Sequence, residues 1–386
     1  VESCKKLAAV IEERQEAGEI KPVRMLVVHQ GNKGEPEVAA FLRDPDGEAD
    51  LSPLSLHRRR LAAFRANRRG RLALRLFLAL FVTCLFAELI ANDRPLLLEY
   101  RGQWFLPVLR DYPETAFGGE LPFPPDYRGR FMSERIARDG WALWPPIRFD
   151  ARSINYARPA PAPPSAENWL GTDDQGRDVL ARVIYGLRLS ILFALGLTLA
   201  SSLLGICAGA VQGYYGGWID LFGQRFIEVW SGLPMLYLLI ILASLVQPGV
   251  GWLLAIMLLF SWTSLVDVVR AEFLRGRHLE YVKAARTLGL GDAGVMFRHI
   301  LPNAMVATLT FLPFLLCGAV TTLTALDFLG FGLPAGSPSL GELVAQGKAN
   351  LQAPWLGISA FMVLAIMLTL LVFIGEAARD AFDPRK

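Results

Sequence analysis

An acidic turn before the middle of the chain has the residue spacing that comes nearest to a ligand site. Asp173 and Asp174 precede Gly176, as acidic residues do in calcium-binding loops. The other oxygen ligands of such a loop are missing, so the pattern favours a turn and a helix cap over a cation site. Gly171 and Gly176 bracket the turn, and residues 178–189 show the pattern of an amphipathic helix.

No other sequence pattern indicates catalysis or metal binding. The four cysteines form no CxxC pair, which indicates neither a disulfide framework nor a zinc site. The phosphate-binding motif GxxxxGK[ST] is absent, as are HExxH and GxSxG, so neither ATP hydrolysis nor hydrolase chemistry is predicted. We therefore expect this chain to have no catalytic, metal-binding or cofactor-binding residue and no enzymatic activity of its own.

The composition is that of an integral membrane protein. Of the 386 residues, 53% are hydrophobic and 19% are charged, whereas soluble domains carry about 25% charged residues. Long apolar runs predict an all-α membrane protein with six transmembrane helices. The predicted spans cover residues 72–91, 189–211, 226–246, 252–269, 305–327 and 355–375.

Basic residues are distributed asymmetrically around these spans. Residues 57–75 hold eight arginines directly before the first span, a density that would also suit nucleic-acid binding. Because cytoplasmic flanks of spans are enriched in Lys and Arg, we favour a topology signal and expect no nucleic-acid partner. The 270–304 loop holds six basic residues, whereas residues 247–251 and 328–354 together hold only Lys348. Six spans with both termini in the cytoplasm satisfy this rule.

These signals divide the chain into predicted regions. The first 56 residues are polar, lack the apolar stretch of a cleavable signal peptide, and are predicted to be disordered apart from a short helix over 5–18. A Trp-, Tyr- and Pro-rich stretch after the first span predicts a small irregular insertion outside the membrane. The regions are the polar segment 1–56, the basic stretch and first span 57–91, the periplasmic insertion 92–167, the five-span core 168–375 and the cytoplasmic tail 376–386.

Two patterns inside the spans indicate helix packing and a cavity. Pro234 and Pro313 are predicted to interrupt the third and fifth spans, which suits helices that line a cavity. Small residues recur at four-residue intervals in the second span and allow another helix to approach closely, a role that packing alone explains. They are Ser201, Gly205, Gly209 and Gly213.

Residues 280–303, EYVKAARTLGLGDAGVMFRHILPN, form a mixed-charge segment between two apolar runs. A helix-forming stretch over 281–288 stops at Gly289, which supplies the positive φ that ends helices at low cost. A second short helical pattern follows, and Pro302 is predicted to close the segment. An ordinary loop between two spans is the simpler interpretation.

This segment resembles the EAA loop of ABC-importer permeases, in which two alanines are followed by a glycine and, after a fixed gap, by Leu-Pro. Ala284, Ala285, Gly289, Leu301 and Pro302 occupy those positions. Lys283 stands where the wider family often has Glu.

Further stretches are similar to dipeptide, oligopeptide and nickel permeases. They are DFLGFGLP at 327–334, the tail GEAARDAFDPRK at 375–386, and a signature before the second span. That signature comprises Gly171, Thr172, Asp173, Gly176, Arg177 and Asp178. Residues 64–74 and 212–234 look most similar to permeases of peptide and microcin C importers.

The resemblance implies a permease subunit of the bacterial inner membrane that imports oligopeptides or peptide-like compounds. ATP and Mg²⁺ are then expected on a separate ABC ATPase subunit, whose groove receives the EAA-like segment as a coupling helix. The implied coupling residues are Glu280, Lys283, Ala284, Ala285, Arg286, Gly289, His299, Leu301 and Pro302. The other implied partners are a second, different permease subunit, a periplasmic peptide-binding protein, the peptide substrate and membrane lipid.

Two further functions stay open from the residues alone. An ion-coupled secondary transporter of small polar solutes usually places an ionisable residue near mid-membrane. Glu88, Glu228, Asp267 and Asp327 instead lie toward the ends of predicted spans. A membrane scaffold that transports nothing would not need prolines that open a cavity.

Overall fold

The computed structural model describes residues 26–30, 36–40, 61–246 and 249–382. The chain divides into two units, Val1–Ala62 and Ala63–Lys386. In the first unit, strands β1 (Leu26–Gln30) and β2 (Pro36–Ala40) pair in an antiparallel arrangement. The prediction of disorder is therefore wrong for these two strands, while the helix predicted over 5–18 lies outside the described residues.

The second unit begins its regular structure with helix α1 (Arg68–Leu85). Asn67 caps this helix, since its side-chain oxygen accepts a hydrogen bond from the Gly70 backbone N–H at 3.1 Å. The chain leaves the helical conformation at Phe86, and the short helix α2 (Ala87–Ile90) follows.

Residues 92–167 form a small α+β lobe. Strand β3 (Leu97–Tyr100) pairs with β4 (Gln103–Phe105) and with β5 (Gly140–Leu143), antiparallel in both cases. Helix α3 (Arg130–Asp139) leads into β5. The lobe has its own core, formed by the buried residues Leu98, Tyr100, Phe105, Phe117, Tyr127 and Met132. The predictions of an all-α fold and of an irregular insertion are therefore wrong for this region, because enough aromatic residues are present to bury one face of a sheet.

The described chain after the lobe is helical. Its helices are α4 (Val179–Tyr215), α5 (Gly217–Ser231), α6 (Met235–Leu245), α7 (Val250–Ser261), α8 (Thr263–Gly276), α9 (Glu280–Thr287), α10 (Asp292–Val295), α11 (Leu301–Phe328), α12 (Leu340–Ala349) and α13 (Pro354–Phe382). A π-helical turn, Met296–Ile300, joins α10 to α11. Helix α4 combines the predicted amphipathic helix and second span in one helix of 37 residues.

Three helical runs in the described residues are long and apolar enough to cross a membrane. They are α4, the run Asp292–Phe328 that ends with α11, and α13. The bent pairs α5–α6 and α7–α8 raise the number to as many as five when each pair counts as one span. A helical membrane core is thus confirmed. Helix α1, with 18 residues and several arginines, is not among these candidates, and its role as a sixth span stays a prediction.

The helix breaks follow the prolines only in part. Helices α5 and α6 meet at 76°, and Pro234 stands directly before α6 as the sequence predicted. Helices α7 and α8 meet at 42° beside Trp262, where a single straight span was predicted. Helix α11 continues through Pro313, so the interruption predicted there is wrong. Pro313 is buried among neighbouring helices, and packing of this kind compensates the backbone hydrogen bond that a proline removes.

The main hydrophobic core joins the long helices to one another. Leu197 of α4, Met257 of α7, Leu323 of α11 and Met367 of α13 are buried in one cluster. Helix α1 packs on α13 so closely that a Cβ at Gly70 would overlap the side chain of Ala377. These contacts join the long helices into one packed bundle.

Candidate functional site

A cavity of about 400 Å³ lies where both bent helix pairs break. Its wall includes Ser231 at the end of α5, Met235 at the start of α6, and Thr263 at the start of α8. Helices α4 and α11 complete the wall. The residues that present hydroxyl groups are Thr198, Ser201, Ser231, Ser261, Thr263, Ser264 and Thr322. None of the described lining residues is ionisable, so the wall is uncharged and combines hydroxyl groups with apolar side chains.

The hydroxyl groups differ in whether a protein partner satisfies them. Ser261 donates to the Met257 carbonyl at 2.8 Å, and Ser201 donates to the Thr198 carbonyl at 3.2 Å. Such hydroxyls keep acceptor lone pairs for a molecule in the cavity. Thr198 Oγ1 is buried and has no hydrogen-bond partner among the described residues.

The two prolines predicted to line a cavity lie beside its wall. Leu233 and Met235, on either side of Pro234, are lining residues, as is Phe314 after Pro313. Neither proline itself lines the cavity. The Pro234 break therefore shapes the cavity through its neighbours.

The small-residue series of α4 lies against α8. A Cβ added at Gly205 would stand 2.7 Å from the Trp262 carbonyl oxygen, and one at Gly209 would stand 2.7 Å from that of Val266. At Gly213 the Arg270 carbonyl oxygen would be 2.6 Å away. Because these neighbours are backbone atoms, only glycine permits this approach. Ser201, the first residue of the series, lines the cavity instead.

The EAA-like segment begins with helix α9. Gly289 has φ +84°, and its N–H bonds the Arg286 carbonyl at 3.0 Å. The Leu290 N–H reaches back to the Ala285 carbonyl at 3.2 Å, which completes a Schellman motif. Pro302 does not close the segment as predicted but lies inside the helical run Asp292–Phe328, directly after the π-helical turn Met296–Ile300.

The adjacent alanines of this segment face opposite environments. Ala285 is 5% exposed and packs with Val282, Phe273 and Ile300 in the protein's own core. Ala284 is exposed, and Leu288 one turn later is 81% exposed. The resemblance implied both alanines as coupling residues, but the helix turns Ala285 into the protein's own core, so of the two only Ala284 is exposed to another protein. The coupling role itself stays a prediction.

Side-chain contacts hold the EAA-like segment on the ends of α4 and α11. Tyr214 of α4 donates its hydroxyl hydrogen to Asp292 at 2.6 Å, and the Arg286 guanidinium lies 4.9 Å from the Tyr214 ring centroid. Tyr281 accepts a hydrogen bond from Asn303 at 2.9 Å. Of the other predicted coupling residues, Lys283 pairs with Glu280 at 2.8 Å, and Leu301 and His299 are half-buried.

The acidic turn at the start of α4 belongs to a buried ionic network. Arg177 pairs with Asp173 at 2.7 Å, and Arg182 pairs with Glu342 at 2.8 Å. A bond of 3.0 Å from Arg177 to Glu342 joins the two pairs. Sequence reasoning missed Arg182 and Glu342, which are far apart in the chain. An arginine near the start of an apolar helix was the available signal, since such a charge needs a partner.

The remaining signature residues fix the turn itself. Asp178 caps α4, accepting from the Ala181 N–H at 2.7 Å, and burial raises the pKa of its carboxyl group. Thr172 Oγ1 accepts from the Ala162 N–H at 2.8 Å. Gly171 and Gly176 have φ +76° and φ +84°, which explains why glycine stands at both. The signature residues therefore form a turn and a helix cap.

The hydroxyl groups that line the cavity were also not predicted from the sequence. The stretch SWTS at 261–264 interrupts an apolar run and coincides with the α7–α8 bend. Hydroxyl residues grouped in a span were the signal that sequence reasoning could have used, because they allow a helix to bend and can face a polar cavity.

Bent apolar helices around an uncharged cavity that presents hydroxyl groups, together with a helical segment that exposes apolar side chains, are features expected of a membrane transport component. A family model described as "Binding-protein-dependent transport system inner membrane component" matches residues 201–386. The chain belongs to this family of inner-membrane ABC permease components.

Relatives with high identity support this assignment. The inner membrane ABC transporter permease protein YejE of Escherichia coli (strain K12) is 62% identical over 338 residues, which cover 87% of this chain and 98% of that protein. The peptidoglycan transport system permease protein YejE of Agrobacterium fabrum is 56% identical over 355 residues, covering 85% and 93%. The oligopeptide transport system permease protein OppC of Lactococcus lactis subsp. cremoris is 33% identical over 229 residues, covering 58% and 78%. The resemblance deduced from the EAA-like segment is confirmed.

Proposed function

We propose that this chain is the transmembrane subunit through which an ABC importer moves oligopeptides or peptide-like compounds into the cytoplasm. The names of its relatives support this substrate class, since they refer to peptidoglycan and oligopeptide transport. ATP and Mg²⁺ bind to a separate ATPase subunit in this proposal, because the sequence holds no phosphate-binding loop.

The observation that carries the proposal is the uncharged, hydroxyl-lined cavity at the helix breaks. Peptides share their backbone amide groups but differ in side-chain charge. Hydroxyl groups donate to and accept from amides, and an uncharged wall imposes no charge selection. Trp230, Phe260 and Phe314 add apolar surface for the side chains. An ion-coupled transporter would instead need an ionisable group in its pathway.

The proposed topology has six spans, with α1 as the first and the bent pairs as one span each. The lobe at 92–167 lies in the periplasm, and the EAA-like segment and both termini lie in the cytoplasm. The basic flank of α1 and the six basic residues of 270–304 support this orientation. It retains the predicted regions 1–56, 57–91, 92–167, 168–375 and 376–386.

The coupling step in this proposal uses the exposed side of the EAA-like segment. Ala284 and Leu288 lie on one face of α9, and Phe297 adds a further apolar side chain that is 66% exposed. Such a surface suits a groove of the ATPase subunit. Because Tyr214 and Asp292 tie the segment to α4, a movement of the docked segment is transmitted to the helix that lines the cavity.

The proposed partners complete the importer. They are a second, different permease subunit, the ABC ATPase subunits, a periplasmic peptide-binding protein and the surrounding lipid. The family description, binding-protein-dependent transport, supports the need for a binding protein.

Transport of labelled peptides of graded length tests the function directly. Cells that carry the gene should accumulate label in an ATP-dependent manner, and cells without it should not. Uptake that persists without ATP but follows an ion gradient would favour the secondary transporter instead.

A further inference from the structure

The lobe contains a second cavity, larger than the one at the helix breaks. Its volume is about 520 Å³, within the range of about 300–1,000 Å³ that is usual for small-ligand sites. It lies between α3 and the strand-to-loop region after β5. Its polar lining side chains are Tyr127, Arg128, Ser133, Arg148 and Glu167.

Two arginines in this cavity have no anionic partner in the part of the chain that the structure describes. Neither the Arg128 nor the Arg148 guanidinium forms an ion pair with any described residue. Each lies over an aromatic ring instead, Arg128 at 3.8 Å from the Phe149 centroid and Arg148 at 5.3 Å from that of Trp144. A guanidinium held against a ring keeps its N–H edge free for a planar anion.

We propose that the lobe cavity binds the carboxylate end of a short zwitterionic peptide. Arg128 and Arg148 supply the donors for the carboxylate. Glu167 is the one carboxylate among the described lining residues, and it attracts the peptide's ammonium group while it repels dianions such as phosphate. The identity of the occupant as a peptide rests on the proposed function, whereas the recognition of a carboxylate rests on the cavity alone.

Binding of trialanine to the purified full-length protein in lipid nanodiscs tests this site by calorimetry. We expect saturable binding that weakens about tenfold or more when the peptide carries a C-terminal amide, because a charge-assisted hydrogen bond is then lost. Arg148→Gln and Arg128→Gln should weaken binding similarly. Arg130→Gln is the matched control, since Arg130 is exposed and pairs with Glu134 outside the cavity.

The melting temperatures of the variants separate ligand binding from structural stability. Arg148 is exposed, so Arg148→Gln should leave the melting temperature unchanged while trialanine binding weakens. Arg130→Gln should change neither. Equal affinity for the acid and the amide, displacement by inorganic phosphate at the same concentration, or no saturable binding would each overturn the proposal.

The binding measurement needs neither the ATPase subunit nor transport. A protein that binds trialanine but supports no peptide import would refute the proposed function and leave the lobe site standing. Peptide import that proceeds although the lobe binds no trialanine would refute the lobe site and leave the proposed function standing.

Discussion

The adjacent alanines of α9 show how one residue position decides between stability and docking. A helix turns by about 100° per residue, so neighbours in sequence face different surroundings. Ala285 packs in the cluster around Phe273, and Ala284 is exposed beside Leu288. The small side chain of Ala285 fits the core, and the small side chain of Ala284 leaves room for a partner protein.

Replacing each alanine by leucine should therefore give opposite results. Ala285→Leu should overpack the core and lower the free energy of unfolding by about 1–3 kcal/mol. Ala284→Leu should leave the melting temperature unchanged and reduce the amount of ATPase subunit that co-purifies. Thermal melts and co-purification from the membrane distinguish the two effects. Retention of the ATPase by the Ala284 variant, with normal substrate-stimulated hydrolysis, would remove the coupling role from this face.

In the ionic network at the start of α4, the loss of a single residue is expected to affect the whole turn. Arg182 is fully buried, and Glu342 is 29% exposed at its side chain. A buried charge whose partner is removed keeps its desolvation cost, so the loss exceeds that of a surface pair.

Glu342→Gln should destabilise the protein by about 3 kcal/mol, because it leaves Arg182 with only the 3.4 Å contact to Asp173 as an ion pair. The melting temperature of the solubilised protein measures this. Glu134→Gln removes a carboxylate from an exposed pair and should have little effect. Equal melting temperatures for the two variants would show that the network contributes little to stability.

At the scale of the elements, the close packing of α4 on α8 fixes one wall of the cavity. The two helices approach through Gly205, Gly209 and Gly213, and α8 begins at the bend that carries Thr263. A side chain between the helices would move this wall.

Gly209→Ala should therefore lower both the melting temperature and transport, because its Cβ would stand 2.7 Å from the Val266 carbonyl oxygen. Gly196→Ala is the matched control in the same helix, since its nearest neighbour is the flexible Leu254 side chain at 3.4 Å. The control should be neutral or slightly stabilising, as alanine is the better helix former. If the two variants melt and transport alike, close packing of α4 on α8 is not required.

The sequence predicted the elements better than their breaks. Apolar runs located α4, α11 and α13, and Gly289 ended α9 with the positive φ expected of it. The interruption predicted at Pro313 was wrong because neighbouring helices decide whether a proline interrupts a span. Contacts with neighbouring helices are not local in sequence. The pairing of Arg182 with Glu342 and the sheet of the lobe also depend on residues far apart in the chain.

For the whole molecule, the position of α1 decides the topology. Its basic first turns favour a cytoplasmic start, but it is shorter than the candidate spans. If it crosses, residues 63–67 and the lobe lie on opposite sides. If it lies along the membrane surface, both lie on the same side.

Cysteine labelling of intact cells at three exposed positions decides between these arrangements. The four native cysteines are first replaced by serine, and single cysteines are introduced by Ala66→Cys, Ser133→Cys and Gly291→Cys. With α1 as a span, a membrane-impermeant reagent that passes the outer membrane should label only position 133. Positions 66 and 291 should react after permeabilisation, because both lie in basic flanks that favour the cytoplasm. Labelling of 66 together with 133 in intact cells would show that α1 does not cross, and labelling of 291 would place the EAA-like segment on the side where no ATPase can reach it.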